Sequence, residues 1–392
     1  MDAEGDVVVG VDENGLGPRL GPLVVTAVCL QRSPTASTAR LRAAASEAGI
    51  GDSKLTAGFG RMATAETIAL GLLERLGPIP RDADELLARV ALDGPLALRA
   101  RCPQQGASRR QCWERIVALP AFGGDPETGR RAVDRLERAG IVPIRIGVVW
   151  TCTAALNDAR AEGRGRLDVD LEAMERLVLD ARRAVGRDVT AVCGMVGGVR
   201  DYATRWRWLD AAAVRSSSLG RHRCVYDVAG VGRIAFEVDA DARHLGVQLA
   251  SMVGKYVREL SMARIHEFYG RFEPELPRAS GYHDSVTARF IAQTASLRRR
   301  LRILDRCFER ETHGGSQARR GRNDSPDASE VATRSRRSKP GLESEAESES
   351  ESESGSETEF ECESESETKS QTGPKAESES VPKSESEYET EP

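Results

Sequence analysis

The chain is poor in the residue patterns that hold soft or borderline metals. Its five histidines (His222, His244, His266, His283, His313) fall at no ligand spacing, and His266-Glu267 lacks the second histidine of a zinc-protease helix. Eight cysteines (Cys29, Cys102, Cys112, Cys152, Cys193, Cys224, Cys307, Cys362) are scattered, and Cys102 and Cys112 have no second pair to complete a zinc site. No Gly-x-x-x-x-Gly-Lys phosphate loop occurs, and Pro18 and Pro22 in the turn after Gly15 argue against a dinucleotide fingerprint. No apolar run approaches the roughly 20 residues that span a bilayer. Met1-Asp2-Ala3-Glu4 lacks the basic and apolar regions of a signal peptide. These absences lead us to expect a cytoplasmic protein with reduced thiols and no membrane partner.

Charge is abundant but unevenly placed. From Gly341 to Pro392 there are 18 Glu against 3 Lys, a net −15 in a chain whose total is −5, so residues 1–340 carry about +10. A basic body points toward polyanions such as nucleic acid without saying which. The acidic stretch is built of Ser-Glu repeats with almost no apolar content, too little to offset the entropy of ordering, so 341–392 is expected to be a disordered tail. A solubilising extension is the plain reading; a nucleic-acid mimic competing for the basic body is the sharper one. Residues 313–340 are polar and Arg-rich and read as a linker.

Hydrophobic periodicity alternates between strand and helix. Val7–Val11 and Leu23–Leu30 read as strands, Ser37–Ala48 and Thr64–Leu76 as helices. Ile144–Thr153, Val189–Cys193 and Ile234–Val238 read as further strands, Leu171–Val185 as a helix, and Asp241 as the head of a helix running to about Phe268. Gly246, Ala250 and Gly254 would let that last helix approach a sheet closely. The alternation implies an α/β layer fold.

The most informative segment is Gly10–Val25. Two adjacent carboxylates, Asp12 and Glu13, end the first apolar run, and a Gly/Pro-rich turn (Gly15-Leu16-Gly17-Pro18) leads to the second. Adjacent acids in a turn are usually just solvated. At a strand end, followed by glycines that let a polymer approach the backbone, they are a common way to hold Mg²⁺ or Mn²⁺ through oxygen ligands.

This string resembles the opening motif of the ribonuclease HII family (ribonuclease H type 2). Asp52-Ser53-Lys54 is similar to the family's Asp-Ser-Lys turn, Leu171–Gly194 to its helix and acid-bearing strand, and Asp241–Lys255 to its last acid and following helix. Gly281-Tyr282, with His283 and Ser285, resembles the segment whose tyrosine stacks on a sugar beside the RNA–DNA junction. The segments occur in family order over most of residues 7–295; residues 60–140 look like a helix-rich insertion. The resemblance implies a ribonuclease-H-like mixed sheet flanked by helices over residues 1–312. It implies endonucleolytic hydrolysis of RNA in RNA–DNA hybrids, including ribonucleotides embedded in duplex DNA, by a two-metal mechanism leaving 3′-hydroxyl and 5′-phosphate ends. Asp12, Glu13 and Asp241 would be the catalytic metal ligands, with Asp12 bridging. Gly15, Leu16, Gly17, Ser53, Lys54 and Tyr282 would contact substrate, the Gly15–Gly17 backbone reading the 2′-hydroxyl.

Two positions depart from the family. Its third carboxylate falls on Cys193, a soft ligand that is neutral at its ordinary pKa, with Asp188 and Asp201 the closest acids in sequence. A buried structural thiol is the plain reading of Cys193. Leu16 stands where a basic residue is usual. The alternative function is therefore a catalytically impaired protein that binds hybrids on the same fold. Asp241 has a plain reading as a helix N-cap. Arg205-Trp206-Arg207-Trp208 could grip nucleic acid or form a strand with Trp inside and Arg outside. Arg298–Arg300 and Arg302 read first as a solvated helix face.

Overall fold

The computed structural model describes residues 6–51, 59–104, 110–197 and 199–311. Asp52, Ser53 and Lys54, the Arg-rich linker and the acidic tail lie outside the described residues.

The alternating valines of β1 (Asp6–Asn14) bury Val7, Val9 and Val11 on one side. The strand pairs antiparallel with β2 (Leu23–Arg32), Asp12 opposite Thr26 and Glu13 opposite Val25. Ser37 caps α1 (Thr38–Glu47), its hydroxyl accepting from the Arg40 amide at 3.2 Å. Then come α2 (Ala63–Arg75), α3 (Ala83–Val90), α4 (Gly94–Ala100) and α5 (Pro126–Arg138). Buried Glu66 on α2 fastens this region by accepting the backbone N–H groups of Ala121, Phe122 and Gly124 at 2.5, 2.7 and 2.8 Å.

β3 (Ile141–Thr151), α6 (Thr153–Ala161), α7 (Arg166–Val185) and β4 (Val189–Gly194) follow. Next are β5 (Val214–Leu219), β6 (Arg223–Val228) and β7 (Gly232–Glu237). The seven strands form one mixed sheet in the order β3-β2-β1-β4-β7-β6-β5, with β1–β4 and β4–β7 parallel and the other pairs antiparallel. The expected mixed sheet flanked by helices is what forms.

The two sheet faces carry different helices. On one, Leu171, Met174, Leu177 and Val178 of α7 pack on Val7, Val9 and Val11. On the other, a one-turn helix α8 (Ala240–Arg243) precedes the 26-residue α9 (Leu245–Gly270), which packs on β1, β2 and α2. The stripe of small residues does what its spacing suggested: Gly246 lies against Gly10, Ala250 is fully buried, and Gly254 faces Asn14 and Thr26. After α9 come α10 (Ser285–Gln293), α11 (Ala295–Arg300) and α12 (Asp305–Phe308).

Several local expectations change. The helix expected from Asp241 starts at Leu245, because extended His244 (φ −120°, ψ 115°) interrupts it; Asp241 is therefore inside α8 and does not cap α9. Arg205–Trp208 is no strand: Ala203–Arg205 is a short 3-10 turn and Trp206 leaves it extended, packing 5.0 Å from Tyr226. Arg205 is committed to Asp168 at 3.0 Å, and Glu175 accepts the amides of Arg207, Trp208 and Leu209 at 2.7–2.9 Å. Arg298 is buried over the Phe308 ring at 3.9 Å, so that helix face is not wholly solvated. The fold also gathers four of the scattered cysteines: Cys152, Cys102 and Cys307 all act electrostatically on half-buried Cys112. Among the described residues, though, no three His, Cys, Asp or Glu side chains form a group that could hold a metal ion.

Candidate metal centre at the end of β1

Successive strand residues face opposite ways, so Asp12 shares the side of Gly10 and α9, and Glu13 the side of Val11 and α7. The two carboxylates nonetheless converge. A Cβ on Gly194, at the end of β4, would lie 3.3 Å from both Asp12 Oδ1 and Glu13 Oε2. Parallel pairing sets this up by placing Val11 beside Cys193. Gly194 thus leaves a side-chain-free space into which both acids open.

Around Asp12, the Ser251 hydroxyl and Lys255 of α9 and the Asn14 amide favour the charged form, whereas Asp241 opposes it. Burial outweighs them and pushes Asp12 from 3.8 up to about 6. Burial, then the charge of Asp12, then that of Asp241, raise Glu13 from 4.5 to about 8. The three acids named from the sequence are thus brought within electrostatic range of one another. Ser251 and Lys255 join them because Gly246 seats α9 against β1.

Cys193 is fully buried in the core beneath α7, and burial first, then the charges of Asp170, Asp12 and Glu13, drive its thiol pKa up. It is a neutral thiol. Asp170 of α7 was not among the residues singled out in the sequence, where it reads as one acid in an Arg/Asp-rich amphipathic helix. It is fully buried, neither carboxylate oxygen has a hydrogen-bond partner, and burial followed by the charges of Glu13 and Asp12 holds its pKa well above the ordinary range.

The loop after Glu13 is held from beneath. Gly15 takes φ +91°, which only glycine adopts without strain. Buried Arg310 donates to the carbonyls of Gly15 (2.5 Å) and Gly21 (2.8 and 3.0 Å), and Arg166 to those of Leu16 (3.2 Å) and Gly17 (3.3 Å). Arg310 was invisible as a site residue because it lies almost 300 positions away from the carbonyls it binds. Arg258 joins this loop to Tyr282: its guanidinium is 4.9 Å from the ring centroid and donates to Ser280 O at 3.0 Å. Tyr282 is 47% exposed, Gly17 is exposed and Leu16 partly so, so these candidates share one accessible rim. Ser53 and Lys54 lie outside the described residues.

Carboxylate oxygens with a lysine and a hydroxyl nearby are hard donors, matched to Mg²⁺ or Mn²⁺ and mismatched to thiophilic metals. Like charges facing one space, each made less acidic by burial, are what a divalent cation would relieve.

No family model matches the chain, and no curated protein matches it. Among solved structures it is similar to ribonuclease HII of Archaeoglobus fulgidus, in a complex with PCNA, at 16% identity over 77% of this chain and 93% of that one, TM-score 0.39. It is similar to ribonuclease H2 of Pyrococcus horikoshii OT3 at 14% identity over 77% and 92%, TM-score 0.36. It is also similar to a Bst ribonuclease HIII in complex with Mn²⁺, at 14% identity over 75% and 71%, TM-score 0.36. At such identities the question of function returns to the chain's own side chains.

Proposed function

We propose that the chain is a divergent ribonuclease HII that hydrolyses the RNA strand of RNA–DNA hybrids, including ribonucleotides embedded in duplex DNA. The observation that carries this reading is the convergence of Asp12 and Glu13 on the open position at Gly194. The order of the sequence motifs supports it. Asp12, Glu13 and Asp241 would hold Mg²⁺ or Mn²⁺. Such cations supply charge neutralisation at the scissile phosphate and a lowered pKa for an attacking water, giving 3′-hydroxyl and 5′-phosphate ends.

The chain's own groups have separate tasks. Ser251 donates to Asp12, and Lys255 opposes the protonation that burial favours there. Arg310 and Arg166, by fixing the Gly15–Gly17 carbonyls, hold the loop in one conformation against the 2′-hydroxyl side of the substrate. Tyr282, pinned by Arg258, offers its exposed ring to a sugar at the RNA–DNA junction.

The test is cleavage of a DNA duplex carrying one ribonucleotide, with Mg²⁺ or Mn²⁺. Wild type is expected to cut on the 5′ side of a phosphate retained as a 5′ end, and Asp12→Asn to lose at least ~100-fold of that rate. No cutting by wild type under either metal would sink the hydrolase reading. A second reading, a hybrid-binding protein without activity, is favoured by one observation: a buried neutral thiol occupies the β4 position matching the family's third acid. Tight hybrid binding by wild type with no cleavage selects it.

A further inference from the structure

We propose that the turn joining β5 to β6, with the arginines gathered around it, is a phosphate-binding arm that grips the backbone of a nucleic-acid duplex beside the candidate centre. This rests on the reading that the substrate is an RNA–DNA hybrid or a duplex carrying ribonucleotides.

The register of the sheet places the arm. Gly194 ends β4 at the open position onto which Asp12 and Glu13 converge, and it pairs with Glu237 at the end of β7. Glu237 pairs in turn with Arg223, the first residue of β6. The turn Gly220–His222 therefore projects at the same end of the sheet as the two acids, two strand spacings or about 10 Å away. In the strand order β1-β4-β7-β6 the position at Gly194 is flanked on the β1 side by the Gly15–Gly17 loop and on the β6 side by this turn. Duplex DNA carries about one charge per 1.7 Å of axis, so a duplex seated at Gly194 brings several phosphates across that distance.

Three segments of chain meet at the turn. The His222 carbonyl accepts the Val238 amide at 3.0 Å, which ties the turn to the exit of β7 just before α8. The Cys224 thiol lies 3.4 Å from the Gly220 carbonyl and 3.6 Å from that of Arg200, which ties it to the loop after β4. Each segment brings an exposed arginine: Arg221 from the turn, Arg200 from the loop and Arg243 from α8. Among the described residues none of the three forms an ion pair; Arg243 reaches a backbone carbonyl, that of Asp239, at 3.4 Å. The neighbouring acids are otherwise engaged. Glu237 takes Arg223 (2.6 Å) and His244 (2.9 Å), and Asp201 takes the Tyr226 hydroxyl (2.8 Å). Arginines along α7 are spent differently: Arg205 is bound to Asp168, Arg164 to Glu172 and Arg176 to Asp93. Guanidinium groups left without a carboxylate keep their full charge and their planar fork for phosphate oxygens.

The experiment is equilibrium binding of a short fluorescent RNA–DNA hybrid to the full chain in chelator, read by anisotropy over a range of salt concentrations. Wild type is compared with Arg221→Ala/Arg243→Ala and with Arg215→Ala/Arg233→Ala, which removes the same charge from the opposite end of the same strands. All four arginines are exposed, so both variants should melt with wild type. The first variant is expected to bind about tenfold more weakly at physiological salt, with a slope of log affinity on log salt shallower by about 2. The second should stay close to wild type, and Arg221→Lys/Arg243→Lys should recover the slope and part of the affinity. Equal losses in the two alanine variants would reveal an effect of net charge alone and overturn the inference, as would wild-type affinity and slope in the first. In either case cleavage by wild type leaves the functional reading standing. Selective loss in the first variant, from a wild type that binds but does not cut, upholds the arm and overturns the hydrolase reading. No hybrid binding by wild type overturns both.

Discussion

The backbone of Gly246 fills the place that a Cβ on Gly10 would take, 1.9 Å from its carbonyl carbon. This contact seats α9 on β1 and, through it, sets Ser251 and Lys255 against Asp12.

Gly10→Ala is therefore expected to cost at least about 3 kcal/mol, the upper range for overpacking, because backbone and not a flexible side chain blocks the methyl. Urea unfolding measures it. A midpoint within experimental error of wild type would mean that the helix can lift from the strand.

The acids of the centre make the metal-free protein sensitive to pH. Asp12 and Glu13 keep their protons in the folded chain up to about 6 and about 8, whereas the unfolded chain releases them near 3.8 and 4.5. The folded state then binds more protons across that window, so stability in chelator falls as pH rises from about 4 to about 8. Glu13→Gln removes the larger share. It is expected to flatten the upper part of the curve and to stabilise the chelated protein at pH 8 by on the order of a few kcal/mol, at the expense of Mn²⁺ binding. Thermal melts at several pH values read the slope; an unchanged slope in Glu13→Gln contradicts the assignment.

Arg310 holds the glycine loop from within the core, and burial lowers its pKa to about 9. Arg310→Met leaves the carbonyl of Gly15 without the Arg310 donor and that of Gly21 with only the Thr153 hydroxyl, and should destabilise by about 3 kcal/mol. Arg310→Lys should rescue little, since one ammonium cannot reproduce the planar fork. If the lysine variant matches wild type in stability, the fork geometry is not what matters.

Glu66 should matter to the helices between β2 and β3 more than to the sheet. Glu66→Ala orphans three backbone N–H groups and is expected to cost about 3–5 kcal/mol. Hydrogen exchange should speed up first at Ala121–Gly124. Uniform acceleration across β1 and β4 instead would show that these helices and the sheet open as one unit.

The parts of the fold that are periodic over a few residues were legible in the sequence. The β1–β2 hairpin, α7 and β4 declare themselves through spacings of 2 and 3.6, α1 through its Ala/Arg-rich composition, and the real bounds differ from the expected ones by a few residues. β5 carries no such signal: Val214–Leu219 is an edge strand, exposed and rich in serine, so alternation is lost. The interruption at His244 was hidden because α8 and α9 together keep a helical pattern across it.

Sequence by itself determined that two acids end the first strand, that a glycine-rich turn follows, that β4 carries a thiol and that small residues line one side of α9. These are local facts, fixed by neighbours along the chain. Tertiary structure alone decided that Asp12 and Glu13 open onto Gly194, that Arg310 grips a loop nearly 300 residues earlier, and that Asp170 lies unbonded beside Cys193. The reason is physical: whether an acid is solvated, bonded or stranded depends on which elements close over it. That closure is set by the packing of α7 and α9 on opposite faces of the sheet, which no single stretch of sequence encodes.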